Sequence, residues 1–296
     1  MEKKNIKALL PMIIVHTFVA LFAICCVMPF VMVVSASFSN EEKLLSEGVS
    51  LLPRGLSLNA YRYVFKFFDQ VLQAYGVSIF VTVVGTVLNM AFMIPFAYAI
   101  SKPSFRYRRV LTFFMFFTVM FSGGLVPSYM LIKQYLNMYD KIWVLIIPLL
   151  VQPGNIILLR VFFQSVPASL FESAKIDGAS EYSQLWNIGM PLIIPGIATV
   201  TFFSVLMFWN DAYTAIIYIE DTRLVPIQIF LTQMSQYVDY IKKNLGLAGG
   251  LLSPNDVPSE SILYAMCVVA AGPMIVLFSF FQKYFVRGLT AGSVKE

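Results

Sequence analysis

Residues 74–100 read AYGVSIFVTVVGTVLNMAFMIPFAYAI, without one charged side chain. A helix needs roughly 20 predominantly apolar residues to cross the hydrocarbon core of a bilayer, and this stretch exceeds that length. Backbone groups in lipid must be satisfied within the spanning structure, which leaves helices or closed barrels. Barrel strands alternate apolar and polar side chains at every second position. Val77 to Val87 does not alternate, so the stretch reads as a membrane helix.

Working outward, five more blocks have this character: 10–38, 110–132, 142–164, 192–217 and 261–285. Phe113 to Phe121 shows the same lack of alternation. The composition agrees: 58% of the residues are hydrophobic and 12% charged. Soluble domains carry about 25% charged residues, so most of this surface does not face water. Short polar links join the blocks. The expectation is an all-α membrane protein with six transmembrane helices in one domain, 1–296. The first apolar block is longer than the 7–15 residues or so of a signal-peptide core, so it is expected to stay as helix one.

The positive-inside rule gives the orientation. With the N-terminus in the cytoplasm, the inside segments hold 12 of the 21 Lys and Arg but 5 of the 16 Asp and Glu. Lys102, Arg106, Arg108 and Arg109 crowd one very short inside loop. Both termini are then cytoplasmic, and the net charge of +5 is a topology signal with no indication of nucleic-acid binding.

Several function classes fit poorly. Cys25, Cys26 and Cys267 lie in apolar blocks with no zinc spacing, and His16 is the single histidine. No metal site is expected, and no nucleophile–base pair of an enzyme. A self-sufficient secondary transporter or channel would place ionisable groups in its spans, and these spans carry almost none. No G-x-x-x-x-G-K-[ST] phosphate loop occurs, so the chain has no nucleotide chemistry of its own.

Outside the blocks, 39–73 reads as an external loop with interfacial aromatics Tyr61, Tyr63, Phe65, Phe67 and Phe68. Gly123 and Gly124, followed by Pro127, weaken the third helix; a packing kink and a break lining the solute path are equal readings. From Ile227 to Leu245 apolar residues recur at three- and four-residue steps, an amphipathic helix that includes Tyr237. A Gly- and Pro-rich loop, 246–258, follows it.

The stretch 165–191 is the longest cytoplasmic segment. Pro167 suits a first helical turn, and Ser169 with Glu172 has capping-box spacing. Leu170, Ala174 and Ile176 are expected to share an apolar face. Gly178 after Asp177 fits a helix C-terminus, and Ser180 fits the N-cap of a second short helix. The segment reads as helix, turn, helix over 167–190, between spans four and five.

Glu172-Ser173-Ala174, then Gly178, then Ile188-Gly189-Met190-Pro191, resembles the EAA motif of ABC-importer permeases in complete spacing. Ser173 replaces an Ala and Met190 a Leu. The tail Gly288 to Lys295 resembles that of maltose-type sugar permeases, and Trp209-Asn210-Asp211 resembles the same carbohydrate group. Phe121 to Pro127 resembles a branch that takes up polysaccharides and complex oligosaccharides. A permease for amino acids or peptides is the alternative within the class.

The resemblance implies a type I importer fold in a bacterial inner membrane. The expected companions are a second homologous permease subunit, an ATPase dimer that holds ATP and magnesium, an extracellular solute-binding protein and membrane lipid. It places ATPase coupling at Glu172, Ser173, Ala174, Asp177, Gly178, Ile188 and Pro191, with Thr290 and Lys295 of the tail. The loop 246–258 fits a probe of the binding protein. The solute path is expected near Trp209, Asn210, Asp211 and Tyr213 of helix five, Gln152 and Asn155 of helix four, and Gly123 and Gly124. Asp211 carries a second reading, at the outer boundary against a cation or water, because a mid-membrane carboxylate is costly.

Overall fold

The computed structural model describes residues 6–245 and 260–293. Among them, every regular element is helical, apart from one isolated bridge between Ser39 and Leu56. In chain order these are α1 (Ile6–Ser37), α2 (Glu41–Glu47), α3 (Asn59–Lys66), α4 (Phe68–Ser101), α5 (Arg108–Met120), α6 (Leu125–Met130), α7 (Pro153–Ser165) and α8 (Ala168–Ile176). Then come α9 (Glu181–Gln184), α10 (Met190–Leu192), α11 (Ile194–Asn210), α12 (Tyr213–Tyr218), α13 (Ile227–Leu245) and α14 (Glu260–Ser293).

Three of the described helices are long and apolar enough to cross a membrane unaided, in α1, α4 and α14. Three bent pairs bring the number to as many as six. The expected span 110–132 is α5 followed by Leu125–Tyr135 at 112°. The break falls at Phe121–Gly124, where Gly124 adopts φ +84°. The second pair, Ile142–Leu149 and Pro153–Ser165, is bent by 48°. In the third, Glu181–Leu192 meets α11 at an elbow of 84°. The expected span 192–217 is therefore not one rod. It ends at Asn210, and α12 restarts after Asp211.

The chain divides into two compact units at Asp69/Gln70, Phe230/Leu231 and Gly272/Pro273. In the first unit, the loop expected over 39–73 is partly helical. Asn40 caps α2 by accepting from the Glu42 amide at 3.0 Å. Tyr61 of α3 packs on Phe38, with ring centroids 4.9 Å apart, and its hydroxyl lies 2.9 Å from that of Ser37. Glu41 holds the start of α14, accepting from the Glu260 and Ser261 amides at 3.0 Å each. Met234 of α13 is buried, whereas Tyr237, expected on the same apolar face, is exposed.

The second unit has two apolar clusters. One gathers Met93, Ala97, Ile100, Ile156, Leu159 and Ile193. The other gathers Val81, Val144, Leu145, Ile146, Phe208 and Tyr218. Close approach of α7 and α11 depends on Gly196, since a Cβ there would stand 2.4 Å from the Phe162 ring. At 34 residues, α4 is about 50 Å long, well beyond a hydrocarbon core of about 30 Å. Its C-terminal end meets the polar hairpin α8–α9.

Candidate functional site

The hairpin is built by its own caps. α8 starts after Pro167, which serves as N-cap without a side-chain bond. Ser169 thus already lies inside the first turn, and the capping box expected from it does not form. α8 ends on Asp177 and Gly178, the latter at φ +81°. The Gly178 amide donates to the Lys175 carbonyl at 3.2 Å, and the Ala179 amide to that of Ala174 at 2.9 Å. These two bonds are those of a Schellman ending, which favours glycine at the left-handed position. Ser180 then caps α9, its hydroxyl accepting from the Ser183 amide at 3.2 Å.

A polar clamp ties this hairpin to the end of α4. The Lys102 ammonium pairs with the Glu181 carboxylate and donates to Oε1 of Gln184 at 3.0 Å. The Tyr98 hydroxyl donates to the same Glu181 carboxylate at 3.3 Å. Gln184, buried, donates back to the Ala179 carbonyl at 3.0 Å, closing the network onto the turn. Lys102 also sits 4.4 Å from the Tyr98 ring centroid and 5.4 Å from that of Phe171. Phe163 meets Tyr98 edge-on at 5.4 Å. The Glu181 carboxyl is held below the usual carboxylate range, chiefly by its hydrogen bond to the Lys102 ammonium, with partial burial acting the other way.

The outer side of the hairpin is free. Ala174 is buried, but Glu172, Ser173, Asp177, Gly178 and Pro191 are exposed and Ile188 is half-buried. Ile176 is 86% exposed, which corrects the expectation that it shares a face with Ala174. Two residues along a helix turn the side chain by about 200°, to the opposite side. With Tyr182 and Trp186, whose rings lie 5.8 Å apart, Ile176 leaves large apolar side chains on the outside of a polar segment.

Sequence reasoning missed the clamp. Lys102 was read as a topology marker, and Glu181 was not singled out. No local signal joins residues 79 to 83 positions apart. Of the tail, Thr290 falls within α14, while Lys295 and the loop 246–258 lie outside the described residues.

A second polar region runs along α4. Ser78, Thr82, Thr86 and Asn89 are all buried and step along one helix face. Asn89 donates to the Leu150 carbonyl at 2.6 Å and accepts from the Ser204 hydroxyl of α11 at 2.7 Å. Ser78 accepts from the Ile227 amide at 2.8 Å. Gly85 lets Phe208 approach, since a Cβ there would stand 2.7 Å from its ring. Trp209 is 3% exposed and packs 6.2 Å from Tyr75. The Trp209 indole N–H, the Thr82 and Thr86 hydroxyls and one Asp211 oxygen are buried without a hydrogen-bond partner among the described residues.

The other residues expected on the solute path are spread out. Asn210 is exposed and donates to the Leu206 carbonyl at 2.9 Å. Asp211 accepts from the Thr214 amide at 3.2 Å at the turn into α12, and among the described residues no ion pair to it is formed. Tyr213 is exposed. Gln152 precedes α7 and donates to the Leu149 carbonyl at 3.2 Å, and Asn155 is half-buried one turn on. Gly123 and Gly124 are exposed at the break between α5 and α6.

Residues 75–291 match the model of a protein family described as the binding-protein-dependent transport system inner membrane component. The chain is similar to the polygalacturonan/rhamnogalacturonan transport system permease protein YtcP of Bacillus subtilis, at 38% identity over 282 residues, 95% of this chain and 97% of that one. It is 38% identical to protein LplC of the same organism over 270 residues, 91% and 89% of the two chains. The crystal structure of a bacterial ABC transporter involved in the import of the acidic polysaccharide alginate contains a similar chain. That match has a TM-score of 0.80 at 30% identity and covers 96% of this chain and 100% of that one.

Proposed function

Because the chain belongs to the family of inner-membrane components of binding-protein-dependent transport systems, we propose that a separate ATPase drives it through the α8–α9 hairpin to move sugars or oligosaccharides into the cell. The chain is a multi-pass membrane permease and not itself an ATPase; hydrolysis takes place on a partner subunit. The sugar class rests on the full-length likeness to a permease named for polygalacturonan and rhamnogalacturonan. The family name itself implies a solute-binding protein as a further partner. A second homologous permease completes the reading. α1 supports it, because every residue from Met12 to Val31 is exposed, a surface that lipid or another chain must cover.

In this reading six spans leave both termini in the cytoplasm. The two compact units belong to one transmembrane domain, since all three cuts fall inside α4, α13 and α14, where separate domains would not part. Force crosses a protein–protein contact at Glu172, Ser173, Asp177, Gly178, Ile188 and Pro191. Ala174 seats the hairpin from behind, and the tail from Thr290 to Lys295 gives a second contact. The clamp supports this mechanism, because a hairpin pinned to α4 moves as a lever with that span. Solute passes near Trp209, Asn210, Asp211, Tyr213, Gln152, Asn155 and the break at Gly123 and Gly124. The unpartnered Trp209 indole beside α4 is the observation that favours this route.

Reconstitution in liposomes with the companion permease, the ATPase and the binding protein tests the proposal. ATP-dependent accumulation of a labelled oligosaccharide is expected. Accumulation without the ATPase, or uptake of amino acids in place of sugars, would overturn it.

A further inference from the structure

A cleft of about 940 Å³ opens between the start of α5 and the end of α7, and Arg106, Arg108, Arg109 and Arg160 line it with Phe113 and Phe116. Its size lies within the range of small-molecule pockets. None of the four guanidinium groups has an acidic partner among the described residues. Arg160 donates to the Thr112 hydroxyl at 3.2 Å, yet its Nε is buried with no partner among the described residues. Like charges gathered around a concavity repel one another, and a buried N–H without a partner is costly. The arrangement calls for an anion.

We propose that this cleft holds the phosphodiester headgroup of an anionic phospholipid of the cytoplasmic leaflet, with its acyl chain along Phe113 and Phe116. The leaflet rests on the orientation given under the proposed function. Arginine forks match phosphate oxygens in a bidentate geometry that a lysine cannot supply. Arg160 lies five residues before the end of α7, about 8 Å into the span, so the anion has to reach below the surface. Basic pockets between helices on the cytoplasmic side suit such headgroups. The flank decides between a lipid and an acidic sugar. From Val110 to Met120, α5 has only Thr112 and Thr118 as polar residues and no buried residue. Phe113 is 67% exposed and Phe116 49%. The wall of a wet solute path would offer hydrogen bonds; this one suits hydrocarbon.

The test uses the whole purified importer, with lipid retention read by native mass spectrometry and stability by thermal unfolding. Phosphatidylglycerol is expected to bind at least about tenfold tighter than phosphatidylcholine and to raise the Tm. Arg108→Gln with Arg160→Gln is expected to weaken it about fivefold per arginine removed. Arg160→Lys should lose part of the preference, because charge remains and the fork does not. Equal retention of the two lipids by the unaltered importer overturns the proposal, whatever the variants do. So does equal stabilisation by inorganic phosphate, which would make the ligand a free anion. Displacement of phosphatidylglycerol by an oligogalacturonate would assign the cleft to the solute path instead. These readouts do not use transport, so failed sugar uptake leaves this proposal standing.

Discussion

Lys102, one residue beyond α4, and Glu181, at the start of α9, form an ion pair that pins the hairpin to a membrane helix. The Tyr98 hydroxyl shares the same carboxylate. Glu181 is largely exposed, so the pair itself adds about 0.2–1 kcal/mol to stability. Its effect is positional: it fixes where the hairpin stands relative to α4. Lys102→Met and Glu181→Gln are each expected to keep the Tm within about 2 °C while lowering solute-stimulated ATP hydrolysis several-fold. A large drop in Tm with normal coupling would mean that the pair is merely structural.

The pair also sets a pH dependence. The Glu181 carboxyl is depressed in the folded protein. A depressed carboxyl contributes above its unfolded value and stops contributing as pH falls through its lowered folded value. Coupling should therefore hold at neutral pH, persist through the usual carboxylate range, and fail only at more acid pH. Glu181→Gln should flatten that acid limb, as measured by ATP hydrolysis in proteoliposomes across pH. An unchanged acid limb in the variant would assign the titration to another group.

Gly178 is constrained by its backbone angle and not by space, since nothing lies within 4 Å of an added Cβ. A left-handed residue other than glycine costs roughly 1–2 kcal/mol. Gly178→Ala is expected to lose about that much, Gly178→Val more, and Gly178→Asn least, by thermal unfolding. A ranking by side-chain size alone would contradict the backbone account.

Gly196 presents the opposite case. A Cβ there would overlap Phe162, and overpacking typically costs about 1–3 kcal/mol. Gly196→Ala should lower the Tm and impair assembly, and Phe162→Leu in the same chain should restore part of the loss. Absence of any rescue would show that the two residues do not share this contact.

Asn89 joins three segments through Leu150 and Ser204. Asn89→Ala leaves the Leu150 carbonyl unpaired in the membrane interior, at about 1–3 kcal/mol. Asn89→Gln should not rescue, because no room remains around a side chain that is fully buried. Thermal unfolding of the detergent-solubilised importer checks both.

The apolar blocks were legible because hydrocarbon imposes one strong rule on length and polarity. The break at Gly123 and Gly124 was legible too, since glycine pairs weaken helices wherever they stand. The hairpin turn at Gly178 and the cap at Ser180 follow from local chemistry and could be read directly. The start of α8 was misread, because Pro167 and Ser169 both carry N-terminal signals and the helix begins at the first. The bend near Gln152 falls at Pro153-Gly154 and the elbow at Ile193 lies between Pro191 and Pro195; prolines mark a helix start but give no bend angle. Trp209 could be singled out as unusual in a span, but its burial against Tyr75 depends on α4, more than a hundred positions away.

The exposed α1 has a consequence for the life of the protein in the cell. A span exposed from Met12 to Val31 among the described residues should make a subunit synthesised without its companions a target for quality-control proteolysis. Synthesis of this chain alone should give a short half-life, and co-synthesis should lengthen it, so stoichiometry can be enforced by turnover with no regulator of expression.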